Sequence, residues 1–480
     1  MKIKINKQPQ GNVLLATMLV TLIVGVALSS YLTLVSSQNQ STLRSQAWNN
    51  SIPIMEAGIE EALTALQYYR SANMDKSGWT FNAADGFYHT SGTLRNGSTQ
   101  NAPNAYSYDV GIKLPPLGQP DQPIIECFGY SPSPANLSTV PDNRLSSPYG
   151  MILGAVGLAP LFTPDVSTTK RKVRVITKSD PLFSKAMAAQ GLIDMNGKWI
   201  VTDSFDSSDL TGTYNTGGKY DSSKKKAGGD VATNGQLVNV NNAWVYGSVA
   251  TGPGGTVQVK QWASVGDKTW VPTIGIQPGH ATDDMNVDFG TVTVPAPVLS
   301  GSAKTAYNST SGGVNLLTGG TLGTTNYFRL NDLSGKITVT GNAVVYVPAG
   351  GSVNFTGSKD GITLSPSATL TMYVGAASVT IAGNGIVNPG SALNFQYYGL
   401  PTNTSISVSG NGDFSGAIDA PSAALTMNGF GNNGSFIGSC IVNSVTMNGG
   451  VQFHYDEALA KLGPIRGYIV TSWNEVNPNN

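Results

Sequence analysis

A five-residue phrase recurs along the chain, reading apolar, polar, apolar, any residue and glycine. Its copies occupy residues 337–341, 353–357, 379–383, 406–410, 425–429 and 445–449, with an early copy at 193–197. Each copy is typical of a short strand with two apolar side chains on one face, ended by glycine at a turn. Such a strand cannot bury its apolar face alone, so the copies must stack on one another.

The spacing of the copies favours one kind of stack. Successive later copies start 16 to 27 residues apart, which suits the coils of a parallel β-helix joined by loops of unequal length. A left-handed helix built on strict hexapeptides would keep its period better. We therefore predict a mainly β chain with a right-handed parallel β-helix over residues 186–465. The predicted inward residues are Val379, Ile381, Ile406, Val408, Leu425, Met427, Val445 and Met447.

The charge content limits the classes of partner. Only 12% of the 480 residues are charged, and 28 basic residues balance 28 acidic ones. Without a basic excess the chain cannot neutralise a run of phosphates, so we expect no nucleic-acid partner. The length predicts two or more domains, and the 57 glycines suit a turn-rich β protein.

The N-terminal region predicts a membrane anchor. No charged residue occurs between Lys7 and Arg44, and Val13 to Val35 is almost wholly apolar. At about 1.5 Å per residue, a helix of that length crosses a hydrocarbon layer about 30 Å thick. The basic leader, residues 1–11, orients its own end inward and the head outward from the inner membrane, into the periplasm or onto the cell surface. The alternative is a cleaved secretory signal.

Helical periodicity continues beyond the apolar run. Met55, Ile59 and Leu63 recur at four-residue steps, which marks one apolar helix face. We predict a membrane-anchoring helix over residues 12–70, kinked or briefly interrupted at Pro53.

These N-terminal residues resemble a known family. The basic leader ending in Gly11, the apolar helix and the phrase Met55–Leu63 are similar to the N-terminal region of PilX-type minor pilins over roughly residues 8–70. The resemblance implies that a prepilin peptidase cuts between Gly11 and Asn12. It also implies that pilin or pseudopilin subunits are the partners of the mature helix, in a type IV pilus or a type II secretion pseudopilus. Ala16 stands where major pilins have glutamate.

Residues 71–185 predict a small antiparallel sheet. Tyr108, Val110 and Ile112 alternate with polar or small residues, as in a half-buried strand. A long helix followed by such a sheet also resembles the globular head of a pilin. Residues 466–480 predict a terminal strand and tail, with the strand returning along the repeats.

One cluster of residues resembles an active site: His280, Asp283, Asp284 and Asp288. Paired aspartates with a histidine are used by β-helix polysaccharide hydrolases for inverting glycoside cleavage, with one carboxyl as acid and one as base. Such carboxylates also bind metal ions. The cluster lies in a proline-rich segment, residues 270–298, that we expect outside the stack, where nothing rigid holds carboxylates at a fixed separation. We therefore predict a surface loop, with no catalytic, cofactor-binding or metal site.

The repeats end at Phe453–Leu462, which has helical character and predicts a cap over the last coil. Repeats closing on this segment are similar to an uncharacterised bacterial domain found behind pilin-like anchors, which implies a place in the cell envelope. The combined expectation is a structural protein and not an enzyme. It is a minor pilin or pseudopilin whose head contacts a surface, a polymer such as a glycan, or a partner protein. The alternative is a polysaccharide-processing β-helix enzyme held at the envelope.

Overall fold

The computed structural model describes most of the chain, which divides into two compact units. The described residues are 12–69, 71–94, 106–116, 121–134, 166–311, 313–321, 323–410, 412–430 and 434–477. The first unit comprises Met1–Asp180 with Gly467–Asn480, and the second comprises Pro181–Arg466. Gly11, where peptidase cleavage is expected, lies outside the described residues together with the rest of the leader.

The first unit begins with a long helix, α1, which spans Asn12–Tyr69. The helix runs through Pro53 without the interruption that the sequence suggested. Its apolar N-terminal part is exposed, and the hydroxyls of Thr17 and Thr33 donate to backbone carbonyls one turn earlier, at 2.9 and 2.8 Å. The hydroxyls of these two threonines are thereby satisfied within the helix, as a lipid environment requires. Among the described residues, α1 is the one helix long and apolar enough to span a membrane, so it could anchor the chain.

A small sheet follows α1 in the first unit. Its strands are β1 Thr80–Asn82, β2 Phe87–Leu94, β3 Tyr106–Lys113, β4 Ile124–Pro134, β5 Val166–Pro181 and the last strand of the chain, Ile465–Val476. Strands β1 to β5 pair antiparallel in chain order, as the alternation predicts. The last strand lies next to β5. It therefore joins the small sheet and does not return along the repeats.

Helix α1 packs closely on this sheet. Cys127 and Val173 are in-register partners on β4 and β5, and both are buried. A Cβ atom on Gly58 of α1 would lie 2.7 Å from Sγ of Cys127, and one on Gly129 of β4 would lie 2.6 Å from Cγ of Met55. Both separations are shorter than van der Waals contact, so a larger residue at either glycine would push the helix away from the sheet.

The second unit consists mainly of short strands. Its first part contains β6 Met187–Ala189, β7 Ile193–Met195, β8 Val201–Phe205, β9 Val231–Thr233, β10 Leu237–Asn241, β11 Trp244–Tyr246, β12 Val249–Ala250, β13 Thr256–Val259, β14 Ser264–Gly266, β15 Gly275–Ile276 and β16 Ala281–Thr282. Its second part contains β17 Ser309–Ser311, β18 Val314–Thr318, β19 Asn326–Arg329, β20 Asp332–Ser334, β21 Lys336–Thr340, β22 Asn342–Val347, β23 Ser352–Phe355, β24 Gly361–Leu364, β25 Thr369–Val374, β26 Ser378–Ile381, β27 Ile386–Val387, β28 Phe395–Gly399, β29 Ser405–Gly410, β30 Phe414–Phe430, β31 Phe436–Asn448 and β32 Gln452–Asp456. Two short helices, α2 Ala296–Leu299 and α3 Ala458–Leu462, accompany them.

Parallel pairing runs in three ladders, in which most strands pair with the third strand further along the chain. The first ladder begins with β18, β21, β24 and β27, the second with β19, β22, β25 and β28, and the third with β20, β23, β26 and β29. The long strands β30 and β31 contribute to all three ladders. Strand β17 pairs with β18 and is antiparallel to it.

The spatial order of the strands differs from their order along the chain. Beyond β31 the first ladder continues through β32, β8, β11, β14 and β15, and the third continues through β7, β10 and β13. The first repeat strands therefore stack on the last ones. Strand β32, which holds the start of the predicted cap, lies between β31 and β8 and does not cover an end of the ladder. Only α3 has the expected helical character.

The predicted inward residues are buried. Val379, Ile406, Leu425, Val445 and Ile193 are in-register partners along the third ladder, and each is at most 1% exposed. The same pairing buries Ile381, Val408, Met427, Met447 and Met195. Because strand side chains alternate between two faces, the two apolar positions of each phrase share one core.

The proline-rich segment 270–298 was expected outside the stack, but it partly joins it. Strands β15 and β16 pair in parallel with β14 and β12. After Thr282 the segment contains no helix or strand until α2. The prediction of an excursion is therefore wrong for residues 275–276 and 281–282. These short extended segments lie between turns and pair through their backbones with neighbouring strands of the stack.

Candidate functional site

The four residues of the acidic cluster follow β15 along the chain. His280 immediately precedes β16, and its Nδ1 atom lies 3.0 Å from the carbonyl oxygen of Gly247. Asp283, Asp284 and Asp288 are exposed. Within the described part of the chain, no group of three or more histidine, cysteine or acidic side chains is placed to hold a metal ion. The histidine thus contacts backbone, while the three carboxylates face solvent.

A buried polar network joins β8 to β32. Nδ1 of His454 lies 2.6 Å from Oδ1 of Asp203, and the Tyr220 hydroxyl donates to Oδ2 of the same carboxylate at 2.7 Å. The ring of Tyr220 stacks on that of His454 with centroids 3.5 Å apart. Burial, and then the charge of Asp203, raises the pKa of the Tyr220 hydroxyl. Through Tyr220 these contacts fasten the connection between β8 and β9 onto the strands.

A second buried carboxylate, Asp456, is fully occupied by neighbouring donors. Its Oδ1 atom accepts from the backbone N–H groups of Ser207 and Ala458, at 3.0 and 3.1 Å. Its Oδ2 atom accepts from the hydroxyls of Ser207 and Ser391, at 2.7 and 3.1 Å. Burial raises the pKa of Asp456, although these hydrogen bonds oppose the rise. Each oxygen already accepts two hydrogen bonds, which is typical of a structural role.

A groove lined by three tryptophans lies on the second unit and encloses about 570 Å³. Its lining residues are Lys198, Trp199, Ile200, Val201, Asn242, Trp244, Trp262, Pro272, Ile274 and Gln452. We call this surface the tryptophan groove. Trp199 and Trp262 are 74% and 62% exposed, so much of each ring is open to a ligand.

The groove follows from the register of the first ladder. Five successive strands carry the in-register partners Gln452, Val201, Trp244, Ser264 and Gly275. Neighbouring strands lie roughly 4.8 Å apart, so residues at the starts of these strands form a row across the ladder. Trp199, Trp262 and Ile274 each lie one or two positions before a residue of this row. Parallel pairing thereby brings together side chains that are distant in sequence.

Trp199 has an unusual backbone conformation. Its φ angle is 64°, in the left-handed region that costs a bulky residue roughly 1–2 kcal/mol. Its ring is exposed, so burial in the core does not offset this cost. The side-chain amide of Gln452 donates to the Trp199 carbonyl at 2.8 Å and helps to hold the turn. Residues held in strained backbone conformations cluster at active sites and ligand-binding positions.

The chemistry of the lining is mostly apolar. Among the described lining residues, Lys198 is the one ionisable side chain, and Asn242 and Gln452 contribute amides. The indole N–H of Trp244 donates to the Trp262 carbonyl at 3.3 Å, which orients its ring. A concave apolar surface with a few polar groups is the usual form of a binding site for an organic ligand.

Sequence reasoning missed this groove. The three tryptophans stand 45 and 18 positions apart, outside any repeat phrase. One signal was present, because each tryptophan stands at or just before an apolar strand: Trp199-Ile-Val, Trp244-Val-Tyr and Trp262-Ala-Ser-Val. Only the ladder register shows that these strands are neighbours.

One region of the chain is similar to a known family. Residues 282–462 match the model of a domain of unknown function, DUF7305. No curated protein and no solved structure shows significant similarity to the chain. Of the groove-lining residues that the structure describes, Gln452 alone falls inside the matched range. The match thus covers much of the ladder but leaves the tryptophans outside it.

Proposed function

We propose that the protein is a membrane-anchored surface component of a type IV pilus or a type II secretion-like pseudopilus. The observation that carries this proposal is the division of α1 into two parts. Its N-terminal part is apolar and exposed, whereas Met55, Ile59 and Leu66 are buried in the part that packs on an antiparallel sheet. An apolar anchor continuous with a sheet-packed helix is the arrangement expected of a pilin-like subunit.

In this proposal the mature chain begins at Asn12. The segment Val13 to Val35 lies first in the inner membrane and then among the helices of pilin or pseudopilin subunits. A stretch without charge suits both surroundings, because neither solvates ions well. The basic leader keeps its end in the cytoplasm, which places both units on the exported side.

We also propose that the second unit is a right-handed parallel β-helix. Pairing of most strands with the third strand further along supports coils of three strands each. Right-handed crossovers are strongly preferred between parallel strands, which favours this hand. A cryo-electron microscopy map of the purified chain tests the proposal, and coils of the opposite hand would refute it.

Processing and assembly supply the test of the main proposal. Co-expression with a prepilin peptidase and its pilus system should remove Met1–Gly11, seen by intact-mass spectrometry. The shortened chain should co-purify with sheared filaments. Gly11→Leu should stay full length, while Gly25→Leu, the same change inside the anchor, should be processed normally. The proposal would be contradicted by a membrane-bound chain that still carries Met1 and is absent from filaments.

The head of this subunit contacts a ligand through the tryptophan groove in our proposal. No carboxylate lines the groove among the described residues, which supports binding over glycoside cleavage, since cleavage needs two carboxyl groups across the sugar. The rival enzyme function has a clear signature. Reducing-sugar release from a polysaccharide, abolished by Asp283→Asn with Asp284→Asn, would replace a binding role by a catalytic one.

A further inference from the structure

We propose that the tryptophan groove binds a linear polysaccharide of neutral sugar rings, lying along the first ladder across β32, β8, β11, β14 and β15. This inference names the ligand class for the head of the proposed subunit. The proposed function is needed only to say on which side of the membrane the groove contacts its ligand, and the inference rests on it in that respect alone.

The aromatic lining indicates that the ligand is made of sugar rings. An indole ring has a negative face, and the C–H bonds on one side of a sugar ring present weak positive charge to it. Trp199 and Trp262 are both exposed and line one groove, with Trp244 between their strands in the ladder. A chain of sugar rings places one flat C–H face after another along such a row.

The charge of the lining indicates that the ligand is neutral. Lys198 is the one ionisable group among the described lining residues, so a polyanion would gain a single charge contact. Charge complementarity therefore favours a neutral chain over a uronic acid polymer or a nucleic acid. The amides of Asn242 and Gln452 supply donors and acceptors for sugar hydroxyls, which would otherwise lose hydrogen bonds on leaving water.

The geometry of the ladder sets the direction and the length. The row from Gln452 to Gly275 crosses four strand spacings, which at roughly 4.8 Å each is about 19 Å. That distance exceeds a single sugar ring, so several units contact the protein at once. Affinity should therefore rise with chain length until the row is filled.

Binding is measured with the full chain, purified in detergent, by isothermal titration calorimetry. The probes are neutral β-1,4-linked hexamers of glucose, of N-acetylglucosamine and of mannose, the dimer of each, and a uronic acid hexamer. At least one neutral hexamer should bind, and should bind more tightly than its dimer. Failure of all three, or binding of the uronic acid hexamer alone, would overturn the inference.

Variants of exposed tryptophans locate the binding site. Trp262→Ala should weaken binding of the neutral hexamer by about tenfold or more, as expected for an aromatic anchor of an interface. Trp199→Gly should do the same while removing the strain of the positive φ angle. Trp473→Ala is the matched control, because it removes an exposed tryptophan of the small sheet, and it should leave affinity unchanged. Equal affinities for all four proteins, with unchanged circular dichroism, would also overturn the inference.

The two proposals fail separately. Binding in detergent does not need peptidase cleavage or a filament, and cleavage does not need the groove. Trp262→Ala should therefore be processed and assembled like the unaltered chain. A chain that binds the hexamer but never enters filaments would refute the pilin-like function alone, and assembly without any glycan binding would refute the groove alone.

Discussion

An aromatic column in the first ladder allows a sharp test of the strand register. Phe436 lies between Phe414 and Phe453, with ring centroids 4.5 and 4.4 Å apart and planes 17° and 11° from parallel. The three residues are in-register partners on β30, β31 and β32, and all are fully buried. Replacing Phe436 therefore removes the middle ring of a continuous stack.

Two substitutions at Phe436 separate packing from ring stacking. Phe436→Ala leaves a cavity and should lower the free energy of unfolding by about 3–5 kcal/mol. Each aromatic pair contributes roughly 0.5–1.5 kcal/mol beyond the buried area. Phe436→Leu fills most of the cavity but restores neither ring contact, so it should cost about 1–3 kcal/mol. Alanine must therefore be clearly worse than leucine.

Urea unfolding and hydrogen exchange measure these costs. Ladder proteins open locally as well as globally, so exchange of the Cys440 amide, which donates to the Ala186 carbonyl at 3.0 Å, reports stability at β31 itself. Thr446→Ala is the matched control, because it changes a half-buried position on the same strand and should stay within about 0.5 kcal/mol. If Phe436→Ala costs no more than Thr446→Ala, the three strands are not in this register.

Three further predictions concern the anchor, the core and a buried acid. Gly25→Arg with Ala27→Arg should cost several kcal/mol of insertion and release the chain from membranes, so unchanged membrane fractionation would refute the anchor. Leu425→Asp should severely destabilise the second unit in thermal unfolding because it buries an unpaired carboxylate. The control Thr426→Asp, which faces outward on the same strand, should have only a mild effect on stability. A tolerated aspartate at position 425 would overturn the inward assignment. Burial raises the pKa of Asp419 from 3.8 to about 7, against the opposing charge of a nearby arginine. Since the protonated acid is favoured in the folded state, the contribution of Asp419 to stability should be greatest below about pH 4 and fall as pH rises to 7. Asp419→Asn should flatten that fall in urea unfolding, and an unchanged profile would show that another group causes it.

The inward residues of the ladder could be predicted because the period of a strand is local. In Leu425-Thr-Met-Asn-Gly, the first and third positions must share a face whatever the strand pairs with. The buried helix face through Met55 and Ile59 follows from the same kind of local rule with a longer period. Neither inference needs knowledge of which element is the neighbour.

The order of the ladder could not be predicted, because the repeat phrases are interchangeable. Ile193 pairs with Val445 on one side and Val238 on the other, yet its phrase would fit beside any other copy equally well. The segment at Phe453 was therefore expected to cover an end, although β8 pairs beyond it. The last strand was likewise assigned to the repeats, since the sequence pattern of an amphipathic strand does not indicate which sheet it joins.

The tryptophan groove was hidden for a related reason. Asp283 and Asp284 resemble an acid and base pair because they are neighbours in sequence, but adjacent side chains of an extended segment point to opposite faces. Trp199 and Trp262 line one groove although 63 positions separate them. Sites of a parallel ladder are built across strands, so sequence proximity is a poor guide to them.

Protection of a strand edge is the competing explanation for the tryptophans, and it accounts for only some of them. Bulky side chains near β14 and β15, where the described pairings of the first ladder end, would hinder pairing with another chain. That reason suits Trp262 and Ile274. It does not suit Trp199, which precedes β8, because β11 and β14 separate β8 from the edge. Trp199 is an exposed ring held at a positive φ angle, inside the ladder and away from its edge. Edge protection does not explain such a ring, which supports our proposal that it contacts a ligand.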